Sequence, residues 1–260
     1  MIGFLSNCNP VILAFIATLF TWFVTLLGSA LVFFFKNINK NILDSMLGFS
    51  AGIMISASFF SLISPALDLS NKLGFCTPII ISLGFLSGSL FLVVGDKIYE
   101  IIKKEGKRKR MILLVTSITL HNTPEGLAVG VAFGSVAYGL DGATIASAAI
   151  LALGIGLQNF PEGAAVSIPL RREGFSRRKA FFWGQLSGIV EPIAGVVGAL
   201  LSLRIRMLLP FLLSFAAGAM IYVVIQELIP ESQSNDNKAL MTFSSIIGFI
   251  IMMILDISLN

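Results

Sequence analysis

The sequence predicts an all-α, polytopic membrane protein, and three observations predict it. Apolar residues make up 56% of the 260 positions, with 22 Phe and a mean hydropathy of +0.91, which leaves too little polar surface for a water-soluble globule. They fall in eight runs, at about 10–35, 43–67, 75–95, 111–138, 143–170, 180–203, 207–230 and 238–258, each near the ~20 residues that cross ~30 Å of hydrocarbon as a helix. The runs are apolar all round and far longer than the roughly ten-residue alternating segments of a membrane β-barrel. Eight transmembrane helices follow.

Almost nothing is left between the runs for a soluble domain, and no low-complexity linker divides the chain, so residues 1–260 are expected to form one transmembrane domain. The start, MIGFLSNCNP, carries no Lys or Arg ahead of its apolar run. It lacks the basic start of a cleaved signal peptide, and the first span is expected to be retained. Fifteen of the 18 Lys and Arg follow spans 1, 3, 5 and 7, including KKEGKRKR (103–110) and RREGFSRRK (171–179), whereas only Lys72, Arg204 and Arg206 lie on the other side. Because short cytoplasmic loops are enriched in basic residues, both termini are placed on the extracytoplasmic side of the cell membrane. The formal charge of +4 thus reports topology and contact with the anionic headgroups of the lipid bilayer, not a nucleic-acid partner. Cys8 and Cys76 fall near the predicted outer face; two cysteines do not define a disulfide, and neither is expected to ligate metal.

Two internal repeats organise the spans. HNTPEGLAV (121–129) in span 4 and QNFPEGAAV (158–166) in span 5 share Asn, Pro, Glu, Gly, Ala and Val at the same offsets, 37 residues apart. FSAGIMISASFFSLI (49–63) in span 2 matches FAAGAMIYVVIQELI (215–229) in span 7 at seven of fifteen positions, with Pro65 and Pro230 following. In the orientation above, the members of each pair run in opposite directions, so both repeats are inverted. Inverted repeats are a common build for secondary transporters, whose substrate sites lie near the bilayer midplane where broken helices meet.

The polar residues at membrane depth carry the chemistry. Glu125, Glu162, Glu191 and Glu227 lie within spans, while no Lys or Arg does. An acidic residue at a helix centre costs about 2.5–3.5 kcal/mol on insertion scales, so these groups must be protonated, hydrated or neutralised by a mobile cation. A resident ion pair is excluded by composition, which leaves proton relay and metal binding. His121 and Glu125 are i and i+4, as are Gln158 and Glu162, which puts each pair on one helix face. Between the members of each pair Pro124 and Pro161 lack the N–H that would bond Leu120 and Leu157, freeing a carbonyl at the level of the site. Gly126 and Gly163 let neighbouring helices approach. One imidazole with carboxylates and amides, and no thiolate, suits Zn²⁺, Fe²⁺, Mn²⁺, Co²⁺ or Cd²⁺ better than Cu⁺, Ca²⁺ or Mg²⁺. An intramembrane metalloprotease of the H-E-x-x-H type needs two histidines, and this chain has one; it is not expected to be an enzyme.

HNTPEG, QNFPEG and the Glu191–Pro192 pair resemble the ZIP (Zrt/Irt-like) divalent-metal transporters, specifically their bacterial GufA-like branch. The resemblance runs along essentially the whole chain. It implies a 3+2+3 inverted-repeat organisation with a binuclear metal site between spans 4 and 5, through which zinc, iron, manganese or cadmium moves into the cytoplasm as substrate, with no prosthetic group. Carried over by position, His121, Glu125, Gln158 and Glu162 form a first metal position with Met54 as a further neighbour. Asn122, Asn159, Glu162 and Glu191 form a second. Glu227 resembles a residue of the cytoplasmic exit pathway, flanked by Gln226 and Glu231. Gln158 stands where many members have His and Asn159 where some relatives have Asp, which leaves the second position short of charge. The loop between spans 3 and 4, often histidine-rich in the family, has no His here. A homodimer is an expectation drawn from the family and from small-residue stretches such as GVVGALLS (195–202). Transport by alternating access is expected; a carrier and a metal-permeable channel are not separated by sequence.

Overall fold

A computed structural model of the chain describes residues 8–35, 39–101, 107–138, 143–234 and 236–259. The first seven residues of the N-terminal stretch, Lys36, and Lys103 and Lys104 of the basic loop lie outside the described residues. Eight long helices account for nearly all the rest, with no strand among the described residues: α1 (Pro10–Phe34), α2 (Lys40–Lys72), α3 (Thr77–Ile101), α4 (Lys107–Val136), α5 (Ile145–Arg172), α6 (Arg177–Arg204), α7 (Arg206–Ser232) and α8 (Lys238–Leu259). Six of them are long and apolar enough to cross a membrane. The other two, α4 and α5, are the helices that carry HNTPEG and QNFPEG.

Local chemistry sets the helix ends. Asn9 and Asn39 accept from the main-chain N–H groups of Val11 and Asn41, each at 2.9 Å, and Thr144 with Ser147 forms a reciprocal capping box, so orphan donors of the first turn are satisfied. The helices α2 and α5 both stop at a glycine with positive φ, Gly74 at 72° and Gly174 at 97°. At both ends the following N–H turns back, Phe75 to the Ser70 carbonyl at 3.1 Å and Phe175 to the Leu170 carbonyl at 3.2 Å, a geometry open to glycine and strained for other residues.

The helices pack as two groups of four. α4 packs most closely on α6 and α1 on α5, while α2 packs most closely on α8 and α3 on α7. The inverted repeat is written into these pairings. Phe49 and Gly52 match Phe215 and Gly218 in the repeated stretch. A Cβ on Gly52 would collide with the Ser245 carbonyl of α8, and one on Gly218 with the Phe85 carbonyl of α3. In the reverse sense Gly248 abuts the Phe49 carbonyl and Gly88 the Phe215 carbonyl. The central pair behaves likewise: Gly126 of α4 sits on the Glu191 backbone of α6, and Gly163 of α5 on the Thr25 backbone of α1. Small residues are needed here because, in lipid, helices gain stability from close packing rather than from a hydrophobic difference.

α2 and α7 share one further irregularity. Each widens to a π-helical segment, Ser58–Ile63 and Val224–Leu228, close to a proline. Pro65 and Pro230 cannot bond the Ser61 and Gln226 carbonyls, and the wider turn accommodates the ring. By contrast α4 and α5 stay helical through Pro124, Pro161 and Pro169.

The stretch GVVGALLS is used inside the chain. Gly195 packs on Thr18 of α1, Gly198 on the Leu127 carbonyl of α4, and Ala199 and Ser202 against Gly134. Its small residues let α6 enter its own bundle. Cys8 and Cys76 form no disulfide. At one end of the bundle Lys40 Nζ, at the start of α2, donates to the Ser234 carbonyl of the α7–α8 connection at 3.2 Å, and Glu173 of the α5–α6 loop lines one cavity with Glu231 of α7. Replacing Gly52 or Gly218 by Val is expected to destabilise the protein by at least the ~1–3 kcal/mol of overpacking, and to similar extents. Thermal unfolding followed by gel filtration in detergent measures both.

Candidate metal site

Each central helix brings its motif to the same depth. α4 supplies His121, Asn122 and Glu125, α5 supplies Gln158, Asn159 and Glu162, and α6 supplies Glu191, all of them buried. Glu125, Glu162 and Glu191 lie within electrostatic reach of one another. The acids are engaged by amides and hydroxyls. Gln158 Nε2 donates to Glu125 Oε1 at 2.6 Å. Ser50 Oγ donates to Glu162 Oε1 at 3.0 Å. Asn159 Nδ2 donates to both oxygens of Glu191 at 2.9 Å and to the Thr21 carbonyl at 3.2 Å. The Thr21 hydroxyl makes a short bond to Glu191 Oε2. His121 Nε2 lies 3.0 Å from Glu227 Oε1 of α7.

Several buried polar atoms are left over. Glu125 Oε2, Gln158 Oε1, Asn159 Oδ1 and both amide atoms of Asn122 have no protein partner, a costly state in a dry interior unless water or an ion completes it. Among the described residues no three His, Cys, Asp or Glu side chains already stand at ligating distance. The arrangement is a set of paired donors and acceptors around open valences, not a closed cage.

A cavity of about 530 Å³ reaches this set from one end. His121, Glu162 and Val223 line it in the interior, Gln226 and Glu227 along the wall, and Pro169, Glu173, Pro230 and Glu231 towards the end at which Lys40 meets Ser234. The three exit-path residues expected from sequence therefore share one cavity with two of the expected ligands. Towards the opposite end the interior is apolar: Ile53, Met54, Val129, Leu151, Ile155 and Met220 are fully buried in one core cluster. Met54, one turn from Ser50 on α2, belongs to that cluster.

Sequence reading missed Ser50 and Thr21. Their signals are faint: Ser50 is the point at which FSAG departs from its repeat FAAG, and Thr21 is one hydroxyl in an apolar run. Each donates to a buried carboxylate across a helix interface.

These features define a polytopic helical membrane protein whose two central, proline-containing helices hold an anionic, amide-rich site connected to one end of the bundle. Comparison with known proteins gives that class its place. The chain belongs to the ZIP zinc transporter family, whose model, described as "ZIP Zinc transporter", matches residues 103–256. It is similar to zinc transporter ZIP11 of Xenopus tropicalis, at 39% identity over 98% of this chain and 100% of the relative. It is similar also to zinc transporter GufA of Myxococcus xanthus, at 35% over 94% of this chain and 98% of the relative, and to zinc transporter ZIPB of Bordetella bronchiseptica, at 35% over 91% and 78%.

Gln158→Leu is expected to leave Glu125 Oε1 buried without its donor and to cost about 1–3 kcal/mol in the metal-free protein. Added zinc should recover part of the loss, because an ion can complete the same carboxylate. Melting curves with and without zinc test this.

Proposed function

We propose that the chain carries divalent metal ions, zinc foremost and also iron, manganese and cadmium, across the cell membrane into the cytoplasm, with the ion as substrate and no prosthetic group. His121, Glu125, Gln158 and Glu162 hold the ion. The observation that carries this reading is the meeting of His121 and Glu162 on the wall of a cavity at whose depth the spans contain acids and no Lys or Arg. Two carboxylates balance one dication, and Gln158 Oε1 and Glu125 Oε2, which lack protein partners, are oxygen ligands of the kind that borderline divalent ions accept.

The path inward follows from the same wall. Glu227, 3.0 Å from His121, takes the ion next, and Gln226 and Glu231 continue the polar surface to the basic end of the bundle. That end is cytoplasmic by the charge rule, which puts both termini outside. The apolar cluster beyond the site supports a carrier over a channel, since a cavity reaching one end only fits alternating access. The two groups of four helices are the bodies that rock, with the ion held on the group containing α4 and α5.

In proteoliposomes loaded with a zinc-sensitive dye, Glu162→Ala should abolish uptake at wild-type protein levels, while Glu231→Gln should slow it several-fold with uptake retained. Full uptake by Glu162→Ala would sink the assignment. Orientation is tested in a Cys8→Ser, Cys76→Ser background: a cysteine at Ser176 should react with an impermeant maleimide only after the cells are opened.

A further inference from the structure

Glu191 is set apart from the other buried acids. The cavity wall is drawn from α2, α4, α5 and α7 and includes Glu162 but not Glu191. Both Glu191 oxygens are already bound, by the Asn159 amide at 2.9 Å each and by the Thr21 hydroxyl, and all three residues are fully buried. From this arrangement we infer that the Asn159 amide takes the place of a second cation, so that the chain holds one transported ion at a time.

The orientation of that amide is fixed by chemistry. A main-chain carbonyl accepts and never donates, so it is the NH2 of Asn159, not its oxygen, that faces the Thr21 carbonyl at 3.2 Å and, with it, Glu191. An ion beside Glu191 would therefore meet the positive ends of N–H dipoles. Oδ1 points away from Glu191 and has no protein partner; to offer it beside Glu191 the amide must turn over and give up its bonds to Glu191 and to Thr21 together. Charge counting points the same way. Glu125 and Glu162 balance one dication; Glu227 stands apart on the cavity wall beside His121, so a second ion next to Glu191 would have that carboxylate alone in contact to set against its two charges. Thr21 acts as a positioning residue, because its carbonyl and its hydroxyl hold the amide and the carboxylate in register across α1, α5 and α6. Bonds to both oxygens let Glu191 stay buried without a guest.

This inference rests on the metal-carrier reading above, and one measurement separates the two. Purified protein in detergent is equilibrated with zinc or cadmium, freed of excess, and assayed for metal per chain by mass spectrometry, with titration calorimetry in parallel. The wild type should bind one ion, and Glu191→Gln should still bind one. Asn159→Asp, which restores a carboxylate beside Glu191, should bind two, and the double variant Asn159→Asp, Glu191→Gln one again; gel filtration checks that each variant is folded. Two ions in the wild type, falling to one in Glu191→Gln, would overturn the inference and leave the carrier reading intact. A folded Asn159→Asp that still binds one would also overturn it. No bound ion in the wild type would instead remove the carrier reading itself.

Discussion

Everything distinctive in this bundle depends on burying carboxylates where no basic side chain can follow. Glu125, Glu162 and Glu191 are at most 6% exposed, and the chain answers each one differently. Glu125 receives an amide and keeps one oxygen open, Glu162 receives a serine hydroxyl and faces the cavity, and Glu191 is bound at both oxygens. The cost of a buried anion scales with how much of its hydration is unreplaced. The three glutamates therefore form a graded series, from one fully completed by protein to two that a mobile cation would complete, and that gradation turns a run of acids into a site.

The backbone is shaped to make such a series possible. A bare α-helix saturates its own carbonyls and offers an ion nothing but side chains. Pro124 and Pro161 each remove one N–H at the level of the site without ending the helix, so polarity is added with no loss of span. Gly126 and Gly163 then admit the α6 and α1 backbones at contact distance, which brings Glu191 and Thr21 within reach of α5. Proline creates the open valence and glycine delivers the neighbour that answers it. The PEG sequence in each motif couples the two devices at adjacent positions.

The eight helices were legible in the sequence because apolar runs of that length allow few alternatives in a bilayer, and their ends shifted by only a few residues where Asn, Ser and Gly caps intervene. The pairing of α4 with α5, and of α2 with α7, was legible through repeated motifs. Partners contributed by helices with no motif were not. Ser50 and Thr21 are ordinary hydroxyls until three-dimensional packing sets them against Glu162 and Glu191, and which end of the Asn159 amide faces Glu191 is settled only by the Thr21 carbonyl beside it. The stretch GVVGALLS has a related ambiguity: small residues announce that two backbones meet, and say nothing about whether the second backbone belongs to the same chain.

The scaffold repeats itself while its chemistry does not. The glycine contacts of α2 on α8 and of α7 on α3 repeat each other, as expected if two arrangements of the bundle are close in energy. The polar residues do not repeat. His121 of α4 is matched by Gln158 of α5, and Glu227, in the π-helical segment of α7, is matched by Ser61 in that of α2. Ser61 donates instead to Asp256 of α8 at 2.7 Å. A carboxylate thus stands beside both widened turns, but on the α7 side it projects from the turn itself into the cavity, 3.0 Å from the only imidazole, whereas on the α2 side it is held by a hydroxyl next to closed apolar packing. Two similar shapes with unequal ligands thus give the two ends of the bundle different polar surroundings, a carboxylate and an imidazole at one and closed apolar packing at the other.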